Sequence, residues 1–354
     1  MTNKPASGFS KSIQWVVGLV VSLAALGLAL RGVHVAEMVT ALGQTNYIYV
    51  AVAVGFNLAG LFARAASWYI ILERRVPYSR AFSALNEGYL LNNILPLRLG
   101  EVGRAYLVSR KQTFSASQAL SSVLVERLID LCMIMGLLIM FLPIVAGPGL
   151  EWARQAALTS VAITVLALVG LFVLARSRDQ ALRAFRSTLA RLPRLPRLDP
   201  PKWEARVGSF IDGMEALRDG RRFALASVCS GAAWLCSGLG NAALVLSLPI
   251  HVAASMWVVG FFTLVITGLG AAVPSAPASA GVFEFSVVTA LGVFGVSKSL
   301  GLSYALVYHL VFFGLTSLLG AVALAREGES LTHLARAAQA LLGGEASPAG
   351  ISAE

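Results

Sequence analysis

Charged residues are scarce in this 354-residue chain. Only 13% of its residues are Asp, Glu, Lys or Arg, whereas 57% are hydrophobic. Soluble proteins usually carry about 25% charged residues, because they need a polar surface in water. The scarcity of charge therefore excludes an ordinary soluble protein. It predicts an all-α, polytopic integral membrane protein, in which helices satisfy their own backbone hydrogen bonds in lipid.

Cysteines and recognisable catalytic motifs are also few. The three cysteines, Cys132, Cys229 and Cys236, lie in apolar segments, and their spacing indicates neither a disulfide framework nor a zinc site. The sequence has no G-x-x-x-x-G-K-[ST] phosphate-binding loop, no H-E-x-x-H zinc motif and no G-x-S-x-G nucleophile turn. We therefore expect no enzyme of these classes, no cofactor, no metal, and no ATP-driven transport by this chain alone.

Long apolar segments dominate the rest of the sequence. A helix needs about 20 apolar residues to cross a bilayer. Six segments have this character, at about 13–30, 47–72, 118–142, 156–175, 223–247 and 302–325. Lys4 and Lys11 precede the first segment, but no clean cleavage site follows it, so we expect a retained span rather than a signal peptide.

Two further apolar stretches, 80–115 and 252–296, are interrupted by turns that contain proline, glycine and an acid. Proline removes a backbone donor and glycine permits unusual backbone angles, so each stretch predicts two short half-helices. We expect both stretches to be re-entrant helical hairpins. The residues that mark their turns are Pro96 and Gly100 in the first hairpin, and Pro274, Pro277 and Gly281 in the second.

The same order of segments occurs in the two halves of the chain. Repeat 1 covers 13–142 and repeat 2 covers 143–325, and each holds three full spans and one hairpin. Because three is an odd number, the second repeat should be inverted relative to the first. The hairpin tips should then approach each other near the midplane, an arrangement typical of transporters.

Positive charge is concentrated in residues 176–222, the basic segment. It holds twelve Lys or Arg and six Asp or Glu, in a chain of net charge +10. Because cytoplasmic loops are enriched in Lys and Arg, we expect the basic segment, the N-terminus (1–12) and the tail (326–354) to be cytoplasmic. Contact with anionic lipid is compatible with this composition, whereas nucleic-acid binding fits poorly because no recognition module is present.

Several ionisable residues lie inside or beside apolar segments, where such groups usually pair or face a cavity. They are Arg64, Glu87, Arg98, Glu101, Arg104, Glu126, Arg127, Asp130 and Glu284. Arg98, Glu101 and Arg104 recur every third residue, and Glu126 and Asp130 are four apart, so each set could share a helical face. The spacing predicts an Arg–carboxylate cluster. It could pair only internally, or it could also leave a guanidinium free to bind phosphate.

Glu284 begins the half-helix that follows the second turn. A carboxylate in the first turn of a helix is stabilised by the helix dipole. Helix capping is therefore one interpretation of Glu284, and a gating or cation-coupling carboxylate is the other. His309 lies in an apolar helix with no evident ligand set, so we expect a hydrogen-bonded core histidine rather than a proton relay.

Three parts of the sequence resemble the lysylphosphatidylglycerol synthase transmembrane (flippase-like) family. They are the P-x-R-x-G-E-x-x-R pattern within Asn93 to Arg104, the E-R-x-x-D pattern within Val125 to Asp130, and Pro277 to Glu284. The resemblance covers roughly residues 10–330. The third part departs from the family pattern, because Ala278 and Ala280 stand where the family has glycines.

In the best-known members of this family the membrane region precedes an aminoacyl transferase domain, and it is thought to move aminoacylated phosphatidylglycerol between leaflets. This sequence ends about 30 residues after its last span, so we expect no transferase. The resemblance implies a lipid flippase-like transporter in the bacterial inner (cytoplasmic) membrane. Its partner would be an anionic or aminoacylated phospholipid, moved through a charged midplane cavity.

The resemblance also implies roles for the charged residues. Arg98 and Arg104 would contact the headgroup phosphate, and Arg127 would hold the cluster together. Glu284 would serve a gate at the opposite leaflet. The carboxylates that position the arginines or meet a cationic headgroup would be Glu101, Glu126 and Asp130.

Two other hypotheses belong to different classes. The chain could be a non-catalytic scaffold or regulatory subunit of an envelope-lipid or glycan enzyme, with the partner docked on the basic segment. It could also be a membrane-embedded glycosyl or acyl transferase, which would need an acid–base pair open to substrate. The sequence is also compatible with a homo-oligomer.

Overall fold

The computed structural model describes residues 7–95, 99–110, 115–145, 151–191, 200–214, 217–271, 273, 275–332 and 334. These residues form helices, turns and short connections without any strand, which confirms the all-α prediction for the described part of the chain. The helices are α1 (Ser7–Leu30), α2 (Val35–Gly43), α3 (Tyr47–Ile71), α4 (Tyr78–Ile94), α5 (Leu99–Arg110), α6 (Ala116–Val145), α7 (Glu151–Arg176), α8 (Arg178–Arg191), α9 (Pro200–Asp212), α10 (Gly220–Ser247), α11 (Met256–Gly270), α12 (Val282–Gly292) and α13 (Lys298–Glu327). A short 3-10 turn, Pro277–Ser279, lies between α11 and α12.

Three described helices, α3, α10 and α13, are long and apolar enough to cross a bilayer. Two bent pairs raise this number to five if each pair forms one span: α1 with α2, bent by 84°, and α7 with α8, bent by 96°. The predicted span at 118–142 falls within α6, which also carries Glu126, Arg127 and Asp130 and is not among these five. The chain thus has three to five candidate spans in its described part, and six spans with an inverted repeat remain a prediction.

Both interrupted stretches form pairs of helices. In the first pair α4 packs against α5, and in the second α11 packs against α12. Gly100 lies in the first turn of α5, Pro277 opens the 3-10 turn, and Gly281 precedes α12. Pro96 and Pro274 lie outside the described residues. Re-entry of these pairs into a membrane remains a prediction.

Helix α13 joins the two helix pairs. It packs against α4 on one side and against α12 on the other, and α4 also touches the 3-10 turn. A second assembly is formed by α10, which packs along α3 and contacts α11. In the described part of the chain, the buried core accordingly has three apolar clusters, around Trp68 and Leu107, around Phe283 and Tyr304, and around Ile134 and Phe262.

A close approach between α4 and α5 depends on glycine. The backbone N–H of Gly100 donates a hydrogen bond to Oδ1 of Asn92 at 2.8 Å. A Cβ atom at residue 100 would overlap with the carbonyl of Gly88 and with the Asn92 side chain. The first turn of α5 is therefore capped by α4 at a distance that only glycine permits.

We expect Gly100→Ala to lower the free energy of unfolding by about 1–3 kcal/mol, because overpacking forces backbone shifts. Gly136→Ala in α6 is the matched control, since its added Cβ would have no atom within 4 Å apart from its own stretch of helix backbone, and alanine favours helix. Reversible unfolding in mixed micelles measures both variants. Equal stability of the two would contradict the close approach of α4 and α5.

The second turn contains residues in the left-handed region of backbone space. Ala278 has φ of 55° and ψ of 17°, Ser279 has φ of 55°, and Gly281 has φ of 85°. Left-handed angles are unfavourable for residues that carry a Cβ. Of the two alanines that replace family glycines, only Ala278 occupies this region, because Ala280 has φ of −53°. The hydroxyl of Ser22 in α1 supports the turn by accepting a hydrogen bond from the N–H of Ala276 at 2.7 Å.

Candidate functional site

Six charged side chains from three helices form one network, the charged cluster. Its members are Arg64 from α3, Glu101 and Arg104 from α5, and Glu126, Arg127 and Asp130 from α6. Five of them are among the seven residues that sequence reasoning selected, and Arg64 is added. Three positive and three negative charges cancel formally within the cluster.

The deepest part of the charged cluster is the pair of Arg104 and Glu126. Nη1 of Arg104 lies 2.6 Å from Oε2 of Glu126, and the two side chains are only 2% and 1% exposed. The guanidinium of Arg104 also lies over the Trp68 ring, 4.7 Å from its centroid, a favourable cation–π geometry. This pair fixes α5 against α6 and α3.

A second buried pair connects Asp130 to Arg64. Nη1 of Arg64 lies 2.5 Å from Oδ2 of Asp130. The other carboxylate oxygen accepts hydrogen bonds from Oγ of Ser230 at 3.1 Å and from Nε1 of Trp234 at 3.0 Å. Sequence reasoning missed Ser230 and Trp234 on α10, because one serine and one tryptophan in an apolar helix give no signal of their partner.

The accessible part of the charged cluster holds Arg127 and Glu101, whose side chains are 30% and 27% exposed. Arg127 lies 3.5 Å from Glu101, 3.4 Å from Asp130 and 3.8 Å from Glu126. Charge-assisted hydrogen bonds are shorter, about 2.7–2.9 Å. Arg127 is therefore held more loosely than Arg104 and reaches the surface of the cluster.

These positions bear on the roles implied by the family resemblance. That hypothesis gives the phosphate contact to Arg104 and the holding role to Arg127. In the structure Arg104 is enclosed in an ion pair, whereas Arg127 is partly accessible. Arg98 lies outside the described residues, and its role remains a prediction.

Glu87 belongs to a separate ionic contact. Its carboxylate lies 3.8 Å from Arg80 and is fully buried. Arg80 also pairs with Glu327 at the end of α13 and donates a hydrogen bond to the carbonyl of Leu107 at 2.8 Å. Arg80 thus links α4, α5 and α13, and Glu87 supports that link.

Glu284 lies apart from the charged cluster, in contact with His309 of α13. Oε1 of Glu284 is 2.7 Å from Nδ1 of His309, and Oε2 accepts a hydrogen bond from the N–H of Gly281 at 2.6 Å. The capping interpretation of Glu284 is confirmed by this second bond. His309 is hydrogen-bonded as expected, but sequence reasoning missed that its partner is Glu284, because 25 residues separate them.

The bend between α7 and α8 carries a basic recess of about 520 Å3 within the basic segment. The arginines that line it are Arg176, Arg178, Arg183 and Arg218. Arg178 is tied to α9 by an ion pair with Asp212, at 2.6 Å between Nε and Oδ1. The recess concentrates positive charge where the chain leaves α7.

Metal-binding chemistry has no candidate in the described residues. No group of three or more His, Cys, Asp or Glu side chains within them is placed to hold an ion. The three cysteines are unpaired thiols of intermediate exposure.

Three known proteins resemble the chain at low identity. "Glycosyltransferase AglD" of Haloferax volcanii is 22% identical over 337 residues, which cover 85% of this chain and 52% of AglD. The chain thus spans about half the length of that relative. A UPF0104 membrane protein of Methanothermobacter thermautotrophicus is 23% identical over 293 residues, covering 81% of this chain and 85% of the relative. A UPF0104 membrane protein of Methanocaldococcus jannaschii is 24% identical over 235 residues, covering 66% and 92%.

The sequence model of a protein family matches most of the chain. This family is described as "Lysylphosphatidylglycerol synthase TM region", and the match runs over residues 15–320. The matched range contains the charged cluster, both helix pairs and the contact between Glu284 and His309. The chain therefore belongs to the lysylphosphatidylglycerol synthase transmembrane family.

Proposed function

We propose that this protein is a flippase-like transporter that moves a lipid headgroup across the cytoplasmic membrane. The observation that carries the proposal is the charged cluster itself. Ionisable groups are rare within the apolar membrane segments of proteins, and there they usually mark a pathway for a substrate or an ion. The charged cluster contains the buried pair of Arg104 and Glu126. It also contains Arg127 and Glu101, whose side chains are both partly accessible.

The signs of the accessible charges suggest the kind of headgroup. Arg127 offers a guanidinium, whose planar fork suits phosphate oxygens. Glu101 lies beside it and offers a carboxylate, which suits an ammonium group. A headgroup that carries both phosphate and amine, as zwitterionic and aminoacylated phospholipids do, would satisfy both residues. A purely anionic headgroup would satisfy only Arg127.

The buried pairs would serve as the frame of this site. Arg104 with Glu126 and Arg64 with Asp130 have their charges neutralised within the protein. A headgroup would therefore compete only for the loosely held Arg127. Arg98, which directly precedes the first residue of α5 in the sequence, would supply a second cation.

Lipid translocation in reconstituted liposomes tests the proposal. Fluorescent phosphatidylethanolamine, lysyl-phosphatidylglycerol and phosphatidylglycerol are each incorporated, and a membrane-impermeant quencher reports the fraction in the outer leaflet. We expect the protein to accelerate exchange of the two amine-bearing lipids. Arg98→Ala should reduce the rate by about tenfold or more, the equivalent of about 1.4 kcal/mol.

Two outcomes would count against this proposal. Rates equal to those of protein-free liposomes for all three lipids would contradict transport. An unchanged rate in Arg98→Ala, with transport by the unaltered protein intact, would remove Arg98 from the site.

We also propose that the basic segment and both termini face the cytoplasm, since Lys and Arg are enriched on that side. Ser187 in α8 is exposed. In a variant that lacks the three native cysteines, Ser187→Cys therefore places a single thiol at an accessible position. A membrane-impermeant maleimide should label it only from the cytoplasmic side. Labelling from the opposite side would reverse the orientation.

A scaffold or regulatory subunit of an envelope-lipid or glycan enzyme is the second candidate. It is favoured by the printed name of one relative, a glycosyltransferase, and by the basic recess, which could receive an acidic surface. Purification in mild detergent distinguishes the two. A stoichiometric enzyme that is lost on Arg183→Ala supports the scaffold, whereas bound phospholipid without a protein partner supports transport.

A further inference from the structure

Both ring nitrogens of His309 face hydrogen-bond acceptors. Nδ1 lies 2.7 Å from Oε1 of Glu284, and Nε2 lies 3.2 Å from the carbonyl oxygen of Ala278. A carbonyl oxygen can only accept, so Nε2 must carry a hydrogen for this contact to be a hydrogen bond. The carboxyl group of Glu284 can accept from Nδ1 when ionised, or donate to it when protonated.

Counting hydrogens gives the number of protons that this arrangement needs. An imidazolium with a carboxylate satisfies both contacts, and so does a neutral Nε2–H imidazole with a protonated carboxyl group. Each of these states holds one proton more than a carboxylate beside a neutral imidazole. In that last state either Nδ1 or Nε2 presents a lone pair to an oxygen, and one of the two contacts becomes repulsive.

We propose that Glu284 and His309 form a proton-binding site, and that the single proton it holds keeps the turn at Pro277–Ser279 in place. The turn needs such support because Ala278 and Ser279 have left-handed backbone angles. These angles are unfavourable for residues with a Cβ. After loss of the proton, the one remaining ring hydrogen stays on Nδ1, because the charged carboxylate of Glu284 is a stronger acceptor than a carbonyl. The contact between His309 and Ala278 would then break and free the turn.

Glu284 is the direct ionic partner of His309. Among the described residues, no other carboxylate forms an ion pair with this ring. The rings of Phe283 and Phe313 cover it, with centroids 4.7 and 4.1 Å away. The His309 and Glu284 side chains remain 20% and 9% exposed, so protein does not enclose the pair completely.

Other charged and titratable groups approach through the neighbouring helices. Tyr308 precedes His309 on α13 and interacts electrostatically with Arg64 of α3. Tyr89 of α4 has an aromatic contact with Phe312. Ser22 of α1 contacts the turn with an uncharged hydroxyl. His309 of the proton site is thus part of α13, and α13 packs against α3, which carries Arg64 of the charged cluster.

The protonation state of His309 can be measured directly. The full chain is labelled with 15N-histidine in lipid nanodiscs, and the ring nitrogen shifts are recorded from pH 6 to 9.5. His309→Gln identifies the signal, and the exposed His251 is an internal reference. We expect Nε2 of His309 to be protonated at pH 7, and the ring to change state when the pair loses its proton.

Two results of this measurement would overturn the proposal. One is an Nε2 of His309 without hydrogen at pH 7. The other is a ring whose state is the same at pH 6 and at pH 9.5.

Hydrogen exchange tests the connection between the proton and the turn. After correction for intrinsic rates, the amides of residues 275, 276 and 278–281 should exchange about tenfold faster at pH 9 than at pH 7, as local opening predicts. In Glu284→Gln the amide can donate to Nδ1 and accept from Gly281 without a titrating proton. Its turn should stay protected at both pH values, whereas His251→Gln should behave as the unaltered protein does.

Equal protection of the turn at pH 7 and pH 9 in the unaltered protein would overturn the proposal, as would identical pH responses of the unaltered protein and Glu284→Gln. Circular dichroism verifies that each variant is helical. Because these measurements need no lipid translocation, their outcome is independent of the transport proposal. Failure of transport would leave the proton site standing, and failure of the proton site would leave transport standing.

Discussion

Arg104→Ala should lower the free energy of unfolding by about 3–5 kcal/mol, the range found when one partner of a buried ion pair is removed. The reason is that Glu126 is 1% exposed and would keep its charge without its closest partner. Arg127 offers only partial compensation, since it lies 3.8 Å from the other oxygen of Glu126. Unfolding by denaturing detergent in mixed micelles measures the loss.

Two matched variants identify the cause. The double variant Arg104→Met/Glu126→Leu removes both charges together and should recover most of the stability, because apolar replacement of a buried pair is often neutral. Arg186→Ala removes an arginine from a surface ion pair with Glu204, where the arginine side chain is 62% exposed, and should resemble the unaltered protein. A double variant as unstable as Arg104→Ala would show that the charge of Glu126 is not the cause.

Arg127→Ala should abolish most lipid translocation while the protein stays folded. The expected rate is lower by about tenfold or more, equivalent to about 1.4 kcal/mol, because Arg127 is the described guanidinium that we assign to the headgroup phosphate. Stability should change little, since Glu126 and Asp130 keep Arg104 and Arg64 as partners. The liposome assay and detergent unfolding measure the two effects separately.

Arg127→Lys refines this test. Lysine keeps the charge but lacks the planar fork, so we expect partial activity. Arg110→Ala is the control, because Arg110 pairs with Glu329 outside the charged cluster. Full transport by Arg127→Ala would contradict the assignment, and an equal loss in Arg110→Ala would show that the assay responds to any missing arginine.

Local sequence patterns predicted the parts of this structure that local physics controls. The apolar composition predicted helices, and proline with glycine predicted the breaks between α4 and α5 and between α11 and α12. The spacing of Glu126, Arg127 and Asp130 predicted one charged face, because residues three and four apart are neighbours on a helix. These features depend on backbone geometry over a few residues.

Features that depend on packing between distant helices were not predictable in this way. Spacing places Arg104 and Arg127 on charged helix faces. How deeply each arginine is buried depends on the other helices that pack around it, as Trp68 packs over Arg104. The family resemblance implies a phosphate contact for Arg104, which is buried, whereas Arg127 is the partly exposed arginine, and both roles remain predictions. The contact of Glu284 with His309 likewise arises from the packing of α12 on α13. The sequence near either residue gives no sign of this packing.

The electroneutrality of the charged cluster has a consequence for energetics at the membrane. An uncompensated charge that crosses the full transmembrane voltage gains or loses about 2.3 kcal/mol per 100 mV. The six described charges sum to zero, so a rigid displacement of the cluster along the field does no net electrical work. As far as these six charges are concerned, voltage would then act on a passing headgroup through the net charge of the lipid.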